Sequence, residues 1–374
     1  VSLWWKITVK TGVYLHVPFC LSKCGYCNFY SVPYSVAALN SYVETLIREI
    51  ECFRQAYDFE ADSVYFGGGT PSLLKAEQIN ALTNLLNILP DAEITLEANP
   101  IQITGDWIKA LNKTKVNRLS LGVQSLHNDH LAALGRRHSA ESIPDRIRLC
   151  RENGYDNISL DLMYGLPSFS EYNLEDDLEK YLKLSPEHIS TYLLSIEDNV
   201  PFRHWKELLP DDNYAERQYQ TICDTLSEAG FEHYEISNFA LPGRQSRHNL
   251  RYWLDEDYIG LGASASGFIQ QQRYTKPDDI EIWQYAVERK DILYQKDPET
   301  KHQQKANFII MQLRLVRGLD LKAYQQRFGT DFISDYNETV ERFVGSGHLE
   351  MTNGFIRLTP NAWFVSNTIL REFV

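Results

Sequence analysis

Val13-Tyr14-Leu-His16-Val17-Pro-Phe-Cys20-Leu-Ser-Lys-Cys24-Gly-Tyr26-Cys27 decides how this chain is read. The apolar run Val13–Val17 reads as a strand, and three cysteines follow it on one short loop. Thiolates this close together can bind a single metal centre. A [4Fe-4S] cubane held by Cys20, Cys24 and Cys27 keeps one of its four irons without a protein ligand, open to a reactant. Zinc competes for the same loop, because His16 lies four positions before Cys20 and a Cys3His set would close a tetrahedral structural site. Yet His16 and Tyr14 are two residues apart in one strand, so both side chains are expected to share a face as part of a barrel interior.

Outward from this loop, short apolar runs alternate with longer segments of helical period up to about Glu235. That is the pattern of successive βα units. The spacing predicts strands at Val13–Val17, Ser63–Phe66, Glu93–Ala98, Arg118–Gly122, Asn157–Met163 and His188–Leu194. The first helix repeats Leu39, Tyr42, Val43, Leu46, Ile47, Ile50 and Phe53 on one apolar face, and Glu44, Arg48, Glu49 and Arg54 are expected to form a solvated one. In a parallel βα barrel, reactive residues gather on loops at the C-terminal ends of the strands. Pro18–Tyr30, Gly67-Gly68-Gly69-Thr70-Pro71, Glu97–Asn99, Gln124 and Asp161–Pro167 all fall at such ends. A doubly wound open sheet would give the same alternation. After Gly243 the alternation breaks down. After Pro298 the pattern becomes helix, short helix and two strands at Gly347–Thr352 and Phe355–Leu358, the order of a small winged-helix-like appendage.

Composition narrows the class. A net charge of −13 and a pI near 5.3 work against broad binding of nucleic acid, which needs clustered Lys and Arg. The stretch 301–374, with nine Lys+Arg against seven Asp+Glu, is too mixed to argue otherwise. No apolar run is long enough to cross a bilayer. Val1–Lys10, with Trp4 and Trp5, lacks the pattern of a secretory signal, so the expected compartment is the cytoplasm. Cys52, Cys150 and Cys223 are scattered and read as small core residues rather than disulfide partners.

With these residues in place, the chain resembles the radical S-adenosylmethionine superfamily: Cys-x3-Cys-x2-Cys with Tyr26 before the last cysteine, followed by the Gly67–Pro71 loop. Within it, the resemblance extends over almost the whole chain to the coproporphyrinogen dehydrogenase-like group. It is carried by Tyr14-Leu-His-Val-Pro-Phe-Cys20, Leu119-Ser-Leu-Gly-Val-Gln124-Ser, Leu134-Gly-Arg136-Arg-His138, Asp161-Leu-Met-Tyr-Gly-Leu-Pro167 and Tyr234-Glu-Ile-Ser-Asn-Phe239. The resemblance implies a partial (β/α)6 radical SAM barrel of class α/β with a small C-terminal winged-helix-like α+β domain. The expected units are a core barrel at 1–242, a connecting region at 243–298 and a C-terminal domain at 299–374. It implies a [4Fe-4S] cluster and S-adenosylmethionine, the latter contacted by Tyr14, Tyr26, Gly69, Thr70, Glu97, Gln124, Arg136 and Asp161. A cofactor bearing a carboxylate, an amine and a ribose needs a cation such as Arg136 and several acceptors.

Two departures bear on function. Relatives that decarboxylate coproporphyrinogen carry a fourth cysteine two residues after the third, where this chain has Phe29, and a long segment before the position of Tyr14, where this chain has thirteen residues. Both point to the heme-chaperone branch of the group. His248-Asn249-Leu-Arg-Tyr252-Trp253 resembles that branch's heme motif, His-Asn-x-x-Tyr-Trp, with imidazole as a common axial ligand of heme iron. The expectation is a heme carrier that serves acceptor hemoproteins, leaves room for peripheral contact with membrane-bound acceptors and does not bind nucleic acid. Oxygen-independent coproporphyrinogen III dehydrogenase is the alternative.

Overall fold

A computed structural model describes residues 9–167, 173–293, 295–297 and 299–374, so Trp4 and Trp5 lie outside the described residues. Six parallel strands appear where the sequence places them. They are β1 (Val9–Val17), β2 (Phe59–Gly68), β3 (Ile88–Ala98), β4 (Arg118–Gln124), β5 (Ile158–Tyr164) and β6 (His188–Leu193), hydrogen-bonded in that order. Beyond β6 the sheet continues antiparallel through β8 (Asn238–Ala240) to β7 (Glu232–Glu235).

The region after Gly243 is more than a connection. Its strand β9 (Tyr258–Leu261) pairs parallel with β1, making a seventh parallel strand. β10 (Ser266–Ile269), β11 (Gln272–Thr275) and β12 (Gln295–Asp297) then extend that edge antiparallel. Among the described residues the two edges do not pair with each other, so the barrel is partial.

Along each parallel strand the side chains alternate with period two. Val13 and Leu15, Val64 and Phe66, Ile94 and Leu96, Leu119 and Leu121, and Leu160 and Leu162 face outward into one large apolar core under the helices. The intervening positions are polar or small: Tyr14 and His16, Ser63 and Tyr65, Thr95 and Glu97, Arg118 and Ser120, Ser159 and Asp161, His188 and Ser190. The lumen is therefore lined by hydrogen-bonding groups.

The first helix spans Val36–Ala56 and starts where the Ser35 side chain accepts from the Ala38 amide at 3.1 Å. Six of its large side chains are buried in the core, each contributing about 1.5–3 kcal/mol of transfer free energy. The expected solvated face needs one correction. Glu49 is 0% exposed, paired with Lys276 at 2.7 Å and accepting the Gly262 amide at 2.7 Å. It ties the helix to the segment after β9, a partner about 210 residues away that helical periodicity cannot reveal. Glu44 and Arg54 are exposed.

The last segment has its own core of Phe308, Ile309, Tyr324, Phe332, Ile356, Leu358 and Phe373. Helices Lys301–Leu313, Leu321–Phe328 and Asn337–Gly345 pack on a three-stranded antiparallel sheet that includes Leu349–Thr352 and Phe355–Leu358. A capping box between Thr300 and Gln303 starts the first of these helices. Among the described residues, no helix is long and apolar enough to cross a membrane.

Candidate functional site

The cysteine loop leaves β1 at the mouth of the barrel. All six cysteines are free thiols. Cys20, Cys24 and Cys27 are half-buried, whereas Cys150 and Cys223 are buried in the core. Two of the loop sulfurs face donors, the Thr70 hydroxyl at 3.6 Å from Cys20 Sγ and the Arg136 guanidinium at 3.6 Å from Cys24 Sγ. Donors aimed at sulfur suit thiolates bound to metal, whose residual negative charge they stabilise. Phe29, at the place of the fourth cysteine, is 64% exposed.

His16 does not complete a Cys3His set. Its Nδ1 lies 2.9 Å from the Tyr14 hydroxyl and its Nε2 3.4 Å from the Tyr30 carbonyl, and burial lowers its pKa to about 4. It shares the lumen with Tyr14, and it fills the space beside Gly68. Among the described residues, no three His, Cys, Asp or Glu side chains converge on one ion-sized point.

The glycine loop closes against the cysteine loop. The Gly69 amide donates to Val17 O at 3.0 Å, and a Cβ on Gly69 would stand 2.8 Å from Phe19 O, so only glycine lets these backbones approach. Gly68 has φ +112° and gives its amide to Glu97 at 3.1 Å. The other Glu97 oxygen accepts from Tyr65 at 2.9 Å.

Glu97 and Asp161 keep some surface toward the lumen but are enclosed by protein. Burial raises each to about 7, and the negative charge of Glu97 adds to the rise at Asp161. Arg136 reaches past Asp161 to Gly122 O, while its buried Nε has no hydrogen-bond partner. Gln124 ends β4 with φ +74°, where the β4–β5 register shifts. A left-handed non-glycine residue costs on the order of 1 kcal/mol. Tyr26 is enclosed between Arg136 and Cys24, and burial pushes its phenol well above the usual range. A cavity of about 210 Å³ opens beside these groups, lined by Ser22, Cys24, Thr70, Asn99, Gln102 and Arg136 among others.

The structure thus brings Tyr14, Tyr26, Gly69, Thr70, Glu97, Gln124, Arg136 and Asp161 to one end of the lumen, around the three cysteines. The donor set fits both groups that the resemblance implies. Sulfurs with hydrogen-bond donors suit an iron–sulfur cluster. Two enclosed carboxyls and an arginine with an orphaned Nε suit a zwitterionic cofactor. Sequence reasoning missed Tyr65, which holds Glu97, and Tyr192, which faces Ser190 and Asp161 from β6.

His248 lies one layer lower. The helix Arg247–Leu254 enters the floor of the barrel with Glu93 accepting both its Arg247 and His248 amides. The imidazole is 0% exposed. Ser63 Oγ is 3.0 Å from Nδ1, the Tyr252 hydroxyl is 2.8 Å from Nε2, and the ring stacks on Tyr65 and Tyr14 at 5.4 and 6.3 Å. Both ring nitrogens are engaged, and burial lowers the pKa to about 3. The far side of this helix meets the C-terminal unit. Arg327 pairs with Asp255 at 2.7 Å, and the Arg314 guanidinium lies 5.8 Å from the Trp253 ring.

Comparison with known proteins shows the family. Residues 14–184 match the model of the Radical SAM superfamily, and residues 300–365 that of the HemN C-terminal domain. The heme chaperone HemW of Lactococcus lactis subsp. lactis is 31% identical over 371 residues, covering 97% of each chain. HemW of Bacillus subtilis is 29% identical over 97% of this chain and 99% of the relative. HemW of Escherichia coli is 37% identical over 68% and 69%. Among solved structures, coproporphyrinogen III oxidase (HemN) from Escherichia coli superposes with a TM-score of 0.85 over 97% of this chain and 90% of that one. At 22% identity that is a likeness of fold. Full-length similarity at this level places the chain in the HemW family of the radical SAM superfamily.

Proposed function

We propose that the protein is a heme chaperone. It carries a [4Fe-4S] cluster on Cys20, Cys24 and Cys27 and S-adenosylmethionine on the eight residues around it, and it passes heme to acceptor hemoproteins from the cytoplasm. The cluster, when bound, supplies a redox-active iron with an open coordination position. The observation that carries the reading is the meeting of three free thiols, two of them facing donors, with the enclosed Glu97, Asp161 and Arg136 at one barrel mouth. Arg136 is suited to the cofactor's carboxylate. Glu97 and Asp161 are suited to its ammonium and ribose hydroxyls.

Heme as cargo is supported by the names of the full-length relatives. For His248 to take heme iron, the bond to Tyr252 must open first, because Nε2 is already in use. Phe29 offers no thiol where decarboxylating relatives have one.

Anaerobic reconstitution tests the reading in one preparation. About four irons and four sulfides per chain, a sulfur-to-iron band lost in the Cys24→Ser variant, and saturable heme binding are expected. A chain that takes up no iron, or that binds heme no better than an unrelated acidic protein, would overturn it. Release of carbon dioxide from coproporphyrinogen would transfer it to the dehydrogenase reading.

A further inference from the structure

Among the described residues, Arg118 is the largest fully buried charged side chain, 1% exposed, at the start of β4. Among the described residues it forms no ion pair, and its Nε has no hydrogen-bond partner. The Thr95 hydroxyl, its register partner on β3, is likewise buried and unpartnered. An isolated guanidinium in such a place costs several kcal/mol, so a compensating interaction is required.

The strand register says where that interaction lies. Arg118 pairs with Thr95, which puts Glu97 two residues higher on one neighbouring strand. Ser120 pairs with Ser159, which puts Asp161 one layer up on the other. All these side chains face the lumen. Arg118 therefore stands on the middle strand below both enclosed carboxyls, one layer under Glu97 and two under Asp161, and acts on them through its charge rather than through a direct ion pair.

We propose that Arg118 is a positioning residue for the cofactor site, the countercharge that keeps Glu97 and Asp161 available as carboxylates to a cationic ligand. This rests on the reading that these two residues contact S-adenosylmethionine. The other groups facing the pair do not take over the task. Tyr14, Tyr65, Tyr192 and Tyr252 face Glu97, and Tyr65 and Tyr192 also face Asp161; all four phenols are pushed upward and stay neutral at pH 7. Ser190 contributes only a hydroxyl to Asp161, and Arg136, the other cation, lowers Asp161 without being among the groups that act on Glu97, so Arg118 is the cation that the two carboxyls share. The field of Arg118 lowers both carboxyls against the burial that raises them, so its loss moves both further up.

The test is anaerobic calorimetry of S-adenosylmethionine and S-adenosylhomocysteine on the cluster-loaded full chain from pH 6 to 9, wild type against Arg118→Gln and Arg118→Lys. In Arg118→Gln the affinity should fall roughly tenfold at pH 7 and recover to within about threefold by pH 9, a midpoint displaced upward by about one pH unit. Arg118→Lys should restore most of it. A loss equal at every pH, or no loss, would overturn the proposal. A second readout needs no ligand: the infrared carbonyl band of protonated carboxyls in cofactor-free protein, assigned with Glu97→Gln and Asp161→Asn. Its titration midpoint should rise in folded Arg118→Gln, and an unchanged midpoint sinks the role. Wild type that carries a cluster yet binds neither ligand would defeat the cofactor reading of Glu97 and Asp161, while the infrared titration would still decide on Arg118.

Discussion

The cysteine loop and the helix Arg247–Leu254 stand at opposite ends of one lumen and treat their functional groups in opposite ways. At the mouth, three sulfurs sit on an irregular, half-buried loop, two of them facing a single donor each, and Leu21 and Phe29 stand exposed beside them. At the floor, a capped helix delivers His248 into the protein with both ring nitrogens and its amide bonded. The difference is one of spare valence. The mouth has unspent sulfur and carboxyl oxygen for a ligand. The floor spends its polar atoms on the fold, so a ligand there must break an existing bond before it makes one.

The largest expected effect breaks the comparison at the mouth. Replacing Cys20, Cys24 or Cys27 by serine should abolish cluster incorporation, read as lost iron and lost visible absorbance. The melting temperature of the cluster-free chain should hardly move, because the loop contributes little buried area. If the variant without cluster unfolds, the loop is structural and the contrast fails.

His248→Ala should do the reverse. It removes a packed ring and leaves the Ser63 and Tyr252 hydroxyls unpaired inside the lumen, for a loss on the order of 2–4 kcal/mol. Denaturant unfolding of the heme-free chain measures it. Heme titration of the surviving folded fraction then decides the ligand: unchanged affinity would remove His248 from the heme site.

The buried carboxyls and the buried imidazoles should also respond to pH with opposite signs. Glu97 and Asp161 titrate near 7 when folded and near 4 when unfolded, so the folded chain holds extra protons between those values. Their contribution is present in acid and lost as pH rises from about 4 through 7. His248, lowered to about 3, and His16, lowered to about 4, carry the opposite dependence. They must bind no proton when folded, so their contribution is present above about 6.5 and lost as pH falls below it. The two dependences oppose each other over the same window, about pH 4 to 6.5. Between those values Glu97→Gln should make the melting temperature of cofactor-free protein rise more steeply with pH than in wild type, and His248→Gln less steeply; any other pattern places the titrating groups elsewhere.

The mouth was legible in the sequence because its chemistry is local. Three cysteines within eight residues, three glycines in a row and a carboxylate at a strand end each state a chemistry without reference to distant partners. The six strands were legible for a similar reason, and the lumen could have been read further. Arg118, Ser120 and Gly122 alternate with Leu119, Leu121 and Val123, a period-two signal for the polar interior. What was hidden depends on contacts remote in sequence. Glu49 looks like one more helix charge until Lys276 and Gly262 arrive beside it. His248 looks like an available ligand until Ser63, 185 residues earlier, takes up its Nδ1. The strand β9 was lost in the connecting region because four residues carry too little periodicity to announce a strand.

The smallest effect gives the sharpest test of the floor. Tyr252→Phe removes one hydroxyl, keeps the ring against Tyr258, and frees His248 Nε2 without disturbing the bond to Ser63. The cost should be about 1 kcal/mol, a single hydrogen bond. If His248 is the heme ligand, the wild-type bond to Tyr252 is a barrier that heme must overcome. Its removal should then tighten heme binding by roughly fivefold to tenfold, the same free energy returned. Weakened binding would mean that the Tyr252 hydroxyl itself serves the heme site, and unchanged binding that heme never reaches the floor of the barrel.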